Sequence, residues 1–109
     1  MQITGFSCCT TDWSKVEHDE HKGDRGVASW RTQFFGDIRV RMVEYSPGYV
    51  ADHWCDKGHI VLCIEGELHT ELKDGRTLTL RPGMSYQVAD GAEPHRSHTE
   101  EGAKLFIVD

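Results

Sequence analysis

The sequence predicts an all-β fold, a jelly roll of short strands packed as one domain behind a short irregular or helical N-terminal segment. Three observations predict it. Apolar and polar residues alternate with a period of two in several short stretches. Turn signals containing glycine or proline separate these stretches roughly every 8–12 residues, and no long helical period is present. For a chain of 109 residues, a double-sheet jelly roll is the natural architecture.

Two stretches carry the strongest strand signals. In the segment 38–43, aliphatic residues alternate with Arg39 and Arg41. This pattern predicts a half-buried strand whose aliphatic side chains face the core and whose arginines are ordinary surface charges. The segment 59–65 is almost continuously apolar, which predicts a strand buried on both faces.

The turns locate the remaining strands. Asp74-Gly75 lies between two strand-like segments and is a strong hairpin signal. Pro82-Gly83 occupies the central positions of a type II turn. The strands predicted around these turns and beyond them cover residues 67–72, 76–80, 84–88 and 104–108.

No repeat or linker divides the chain, so residues 1–109 are predicted to form a single domain. The β-barrel of this domain is expected to cover residues 27–109. Residues 1–26 are expected to form the N-terminal segment. Within that segment, Thr11 is placed as the N-cap of a short helical turn. The polar stretch 17–25 is predicted to be an exposed loop.

Charge and composition exclude several classes of function. The chain has 12 basic and 18 acidic residues, a formal charge of −6, which argues against nucleic-acid binding and against docking on an anionic membrane. The longest apolar run, 60–64, is far too short to span a bilayer. No secretory signal is visible. Adjacent Cys8 and Cys9 rarely bridge each other, so the four cysteines are predicted to be reduced thiols in a cytoplasm.

Histidine and cysteine donors cluster in one segment. His53 and Cys55 are two residues apart and would share a face of a strand. His59 follows a break at Gly58, and His95 begins a later strand. Imidazole and thiolate both bind zinc, iron, nickel or copper. The alternative for Cys55 is a buried thiol acting as a small hydrophobe.

These residues give the chain its resemblance to the cupins. The first cupin motif reads Gly, five residues, His-x-His, three or four residues, Glu, six residues, Gly. Here Gly48, four residues, His53-x-Cys55, three residues, His59, six residues and Gly66 follow that order. Cys55 therefore falls where a cupin has its second histidine, and His59 where it has its glutamate.

The resemblance extends to the second motif and to one subgroup. The run 89–95 keeps the Gly and His of the cupin Pro-x-Gly-x2-His motif, in Gly91 and His95. Asp52-His53-Trp54-Cys55 supplies the residues of the small DHCW-motif cupins, a group without an assigned activity. The resemblance implies a double-stranded β-helix with a metal site inside the barrel at its mouth.

The residues and the resemblance together predict a divalent transition metal held by His53, Cys55, His59 and His95. Zinc is favoured, with iron, nickel or copper as alternatives. A closed site would be structural or regulatory, whereas an open position would permit chemistry on a small organic ligand. Whether the protein is an enzyme stays open.

The alternatives are a non-catalytic module that senses a small molecule or metal, and a redox sensor using Cys55. A homodimer is expected because Trp30, Trp54 and the apolar strands supply more apolar surface than one small barrel hides.

Overall fold

The computed structural model describes residues 2–109 of the chain. A 3₁₀ turn at Trp13–Lys15 precedes the strands. In chain order the strands of the described residues are β1 His18–Lys22, β2 Val27–Phe35, β3 Ile38–Tyr45, β4 His59–Gly66, β5 Leu68–Leu72, β6 Thr77–Leu80, β7 Ser85–Val88, β8 His95–His98 and β9 Ala103–Val108.

The strands form two antiparallel sheets. The larger has the order β1-β2-β3-β9-β4-β7, and the smaller has the order β6-β5-β8. The core lies between them, because its buried cluster joins Val43, Val61 and Leu105 of the larger sheet to Leu68 and Leu80 of the smaller one. This arrangement confirms the predicted all-β jelly roll.

The two predicted turns are confirmed. Strands β5 and β6 pair around the Asp74-Gly75 hairpin, and Gly75 has a φ of +99°. Gly83 follows Pro82 with a φ of +89°. Both glycines adopt the left-handed conformation that other residues rarely take, which is why these turns could be read from the sequence.

The sequence predicted the wrong orientation for Arg41 in β3. Arg41 and Val43 point inward, where they lie opposite Ile107 and Leu105 of β9. Arg41 is only 5% exposed, so it is not an ordinary surface charge. Met42, which was expected in the core, is only half-buried and lies on the outer face of the sheet, whereas Ile38 is buried as expected.

The prediction that β4 is buried on both faces is also wrong. Val61 and Cys63 are buried, whereas Ile60 is 44% and Leu62 37% exposed. The smaller sheet packs against only one face of the larger one. The apolar side chains on the opposite face of β4 therefore reach the surface.

The N-terminal segment contains a strand where a loop was predicted. Residues 18–22 form β1, which pairs with β2. All five residues are exposed and polar on both faces, so no alternation of apolar residues marks the strand. The short helical turn was correctly predicted, but its N-cap is Asp12 rather than Thr11, since the Asp12 carboxylate accepts the Ser14 N–H at 3.1 Å. No helix among residues 2–109 is long and apolar enough to cross a membrane.

Candidate metal centre

Three of the four predicted ligands meet where the two sheets come together. The donor atoms of Cys55, His59 and His95 all lie within 4.8 Å of one another. His59 begins β4 of the larger sheet and His95 begins β8 of the smaller one. Cys55 is fixed beside His95 by two backbone hydrogen bonds, of 2.8 and 2.9 Å. The cluster therefore rests on the framework of both sheets.

The approach of the chain to His59 depends on Gly58. A Cβ at this position would lie 2.5 Å from the Asp90 nitrogen and 2.8 Å from the Val88 oxygen. The Gly58 N–H instead donates to the Asp90 carboxylate at 2.6 Å. Glycine is thus required where this loop passes against the chain that follows β7, and the contact sets the start of β4.

The two imidazoles face each other through the same nitrogen. His59 Nε2 is 2.7 Å from His95 Nε2. His95 Nδ1 is 2.9 Å from the Glu93 carbonyl oxygen, and His59 Nδ1 is 3.3 Å from Oδ2 of Asp109. A carbonyl oxygen only accepts hydrogen bonds, so His95 carries its proton on Nδ1.

Asp109 determines which ring nitrogen of His59 carries the proton, as the Glu93 carbonyl does for His95. Burial alone would raise the pKa of this carboxyl, but the hydrogen bond from Arg39 and the charges of Arg41 and Arg39 lower it to about 2. Arg39 Nε and Arg41 Nη2 lie 2.8 and 2.9 Å from its oxygens. The ionised carboxylate accepts the Nδ1 proton of His59. Burial is also the largest influence on the His59 pKa and lowers it, which keeps the ring neutral near pH 7.

The consequence is that both Nε2 atoms present lone pairs to each other. Two acceptors 2.7 Å apart need a cation between or beside them, either a proton or a metal ion. Metal-binding histidines commonly donate their other N–H to a carboxylate or a carbonyl, as His59 and His95 do here. Two nitrogens on a tetrahedral zinc would be about 3.3 Å apart, which is somewhat longer than the 2.7 Å between the two Nε2 atoms.

His53 lies outside the cluster. Its side chain is 74% exposed, and its Nδ1 is 2.6 Å from Oδ1 of Asp52. The segment between β3 and β4 is irregular apart from single bridges. The rule that residues two apart share a face holds on a strand, and His53 and Cys55 are not on one. A ligand role for His53 stays a prediction.

Arg39, Arg41 and Asp109 were missed as members of the site. Arg41 and Arg39 are separated from Asp109 by 68 and 70 positions in the sequence. No short motif marks them, and an Arg-Val-Arg run is typical of a solvated strand face. The half-buried Trp30 ring contributes as well, because the Arg41 guanidinium stacks over it at 4.4 Å.

A cavity of about 310 Å³ opens onto the cluster from within the barrel. Cys55, His59 and His95 form part of its wall. The wall also carries aliphatic, tyrosine and basic side chains, among them Val61, Tyr86, Leu105, Ile107, Arg41 and Lys57. The volume is at the small end of ligand pockets in proteins.

Comparison with known proteins supports the fold. No family model matches the chain, and no curated protein matches it. A predicted oxalate decarboxylase from Thermotoga maritima superposes with a TM-score of 0.78 at 12% identity, covering 92% of this chain and 96% of its own. Ectoine synthase from P. lautus has a TM-score of 0.74 at 20% identity, covering 93% and 76%.

A cupin-like protein from Thermotoga maritima has a TM-score of 0.72 at 14% identity, covering 85% of this chain and 77% of its own. At these identities the likeness shows the fold alone. The chain has the cupin jelly-roll fold.

Proposed function

We propose that this cupin-fold protein binds one divalent transition metal per chain through Cys55, His59 and His95. The observation that carries the proposal is the pair of facing Nε2 atoms, each on a ring whose other nitrogen is already engaged. Such a pair is organised to share a cation. The adjacent cysteine adds a third, softer donor within 4.8 Å.

Zinc is the metal that this donor set favours. Zinc accepts sulfur and nitrogen ligands together, and a thiolate moves the preference away from the all-nitrogen and oxygen sets that suit iron. Iron, nickel and copper remain the alternatives for the same donors.

Three protein ligands are one fewer than a closed tetrahedral site uses. The metal would therefore retain a position for water or a ligand, on the side of the cavity. A metal bound in this way polarises a coordinated oxygen or lowers the pKa of bound water. We propose that a small organic ligand occupies the cavity. The donor count favours a ligand-binding or catalytic centre over a purely structural one.

The test is metal analysis of the purified protein and of two histidine variants. The wild type should bind about one zinc ion per chain, and His59→Ala should lose most of it. His69→Ala is the control, because His69 lies on the smaller sheet and contacts Glu67 and Thr79 instead of the cluster. Full occupancy in His59→Ala would contradict the proposed ligand set.

Cobalt substitution tests the thiolate separately. A cobalt-loaded wild type should show a sulfur-to-metal charge-transfer band that Cys55→Ser lacks. Cys9→Ser is the matched control, since Cys9 is exposed and outside the cluster. A band that persists in Cys55→Ser would remove Cys55 from the ligands and leave the histidine pair.

We also propose that two copies associate through the outer face of the larger sheet. Ile60, Leu62 and Ile64 of β4 are exposed on that face, with Met84 beside the strand. Trp30 and Trp54 are not part of this surface: Trp30 lines the cavity, and Trp54 lies against Lys73 and Arg96. Apolar side chains clustered in this way typically mark a protein contact. We further propose that the chain is a DHCW-motif cupin, which the run 52–55 supports. We also propose a cytoplasmic location.

A further inference from the structure

Positive charge is concentrated on the wall of the cavity although the protein is acidic. Acidic residues outnumber basic ones by 18 to 12 in the whole chain. Yet four basic residues line the cavity, and none of the aspartates or glutamates among residues 2–109 does. The four are Arg39, Arg41, Lys57 and Arg96. An excess of one sign on a concave wall raises the local concentration of the opposite ion.

A single buried carboxylate lies behind this wall. The side chain of Asp109 is fully buried and accepts hydrogen bonds from Arg39 and Arg41. It neutralises one of the two guanidinium charges and leaves the other. Lys57 has no carboxylate partner within 4.0 Å among the described residues, and the Arg96 contact with Glu71 is long, at 3.8 Å. The cavity therefore retains a net positive charge.

Arg41 shows where an anion would be held. Its side chain is more than nine-tenths buried, and its Nη2 donates to Asp109 at 2.9 Å. Its Nε, however, is buried and has no hydrogen-bond partner among residues 2–109. A guanidinium offers five N–H donors in a planar fork that matches an oxyanion. Stacking on Trp30 holds this fork in place beside the metal cluster.

We infer that the cavity binds a small organic carboxylate, whose anionic group pairs with Arg41 and Lys57 beside the metal. The inference rests on the proposed function for the metal, whereas the charge argument stands on the basic wall itself. Aliphatic side chains and tyrosines on the same wall, among them Val61, Leu105 and Tyr86, favour an organic body over a bare inorganic ion. The volume of about 310 Å³ restricts the ligand to a small molecule.

Calorimetric titration with matched probes tests the inference. Benzoate is compared with benzamide, its neutral isostere, and with inorganic phosphate, on both zinc-loaded and chelator-treated protein. Benzoate should bind at least about tenfold more tightly than benzamide to the zinc-loaded form. An equal affinity for benzoate and benzamide, or tighter binding of phosphate than of benzoate, would overturn the inference.

Three variants locate the binding site. Arg41→Gln should abolish the preference for benzoate over benzamide, and Lys57→Gln should reduce it severalfold. Lys57 is exposed at the cavity mouth, so its replacement tests the site even where Arg41→Gln fails to fold. Lys15→Gln removes the same charge from the exposed N-terminal turn and should change nothing. An unchanged preference in Lys57→Gln and in a folded Arg41→Gln would overturn the assignment.

The two proposals fail differently. Zinc binding without any preference for benzoate would refute the carboxylate ligand and leave the metal site intact. A preference for benzoate in a protein that binds no zinc would refute the metal site, and would keep the anion pocket formed by the basic residues.

Discussion

The two faces of the six-stranded sheet each carry residues that are unusual for their position. The inner face carries the buried Arg41, the half-buried Arg39 and the buried carboxylate of Asp109 next to the metal cluster. The outer face exposes Ile60 and Leu62 from strand β4. A buried charge is costly unless it is paired, and exposed apolar residues are costly unless they are covered.

The two faces therefore differ in what they require: the inner charges need partners, and the outer apolar residues need to be covered. The inner charges are paired only in part within the chain, through Asp109 and the stacking on Trp30, and Arg41 Nε has no hydrogen-bond partner among residues 2–109. The apolar outer residues are not covered by the smaller sheet, and a second copy would cover them. The inner face should therefore determine the stability and chemistry of one chain, and the outer face its association.

The largest expected effect comes from removing an inner leucine. Leu105 of β9 is 1% exposed and belongs to the core. Leu105→Ala should lower the free energy of unfolding by about 3 kcal/mol, because it loses the buried methyl groups and leaves a cavity.

Leu62→Ala is the matched outer substitution, expected to cost less than about 1 kcal/mol at low protein concentration. Urea denaturation of both variants measures the difference. Equal losses of stability would show that the two faces do not differ in burial.

The second prediction concerns the inner ion pairs. Asp109→Asn leaves Arg41 buried without its carboxylate and should cost about 3 kcal/mol near pH 7 in metal-free protein. Because the pKa of Asp109 falls from 3.8 to about 2 on folding, the charged form stabilises the wild type above pH 3.8. That stabilisation, about 2 kcal/mol, should be lost as the pH drops towards 2.

Unfolding curves of both proteins across this range test the sign of the effect. The stability difference between wild type and Asp109→Asn should narrow as the pH falls from 3.8 towards 2. A constant difference over this interval would mean that the carboxylate of Asp109 does not carry the stabilisation.

The sequence predicted the strands of this sheet but not which face of a strand is buried. Alternation and the Asp74-Gly75 turn predicted the strands and the jelly roll, because both are local properties of the chain. Alternation in β3 gives two rows of residues but does not say which row faces the core. Arg41 occupies the inner row because it forms an ion pair with Asp109 there and stacks on the Trp30 ring. Those partners are distant in sequence, so no local pattern could reveal them.

The third prediction tests the outer face. Leu62→Lys should turn a dimer into a monomer at micromolar concentration, because it places a charge in the centre of the apolar surface of β4. The unfolding free energy of the single chain should change by less than about 0.5 kcal/mol, since Leu62 is already partly exposed. Sedimentation velocity measures the first effect. Lys104→Leu, at the margin of the same face, is the control. A wild type that sediments as a monomer would contradict the proposed dimer.

The smallest expected effect concerns His53, which the motif spacing places among the ligands and the structure places on the exposed part of the cavity wall. Its imidazole is 74% exposed, and its one side-chain partner among residues 2–109 is the neighbouring Asp52. The hydrogen bond to His53 is the largest cause of the lowered Asp52 pKa, but this pair is open to solvent and contributes little stability. His53→Ala should therefore leave zinc content and thermal stability unchanged, whereas His95→Ala should lose the metal. If His53→Ala loses zinc while remaining folded, the segment between β3 and β4 closes over the cluster on binding, and His53 is the fourth ligand that the cupin motif implies.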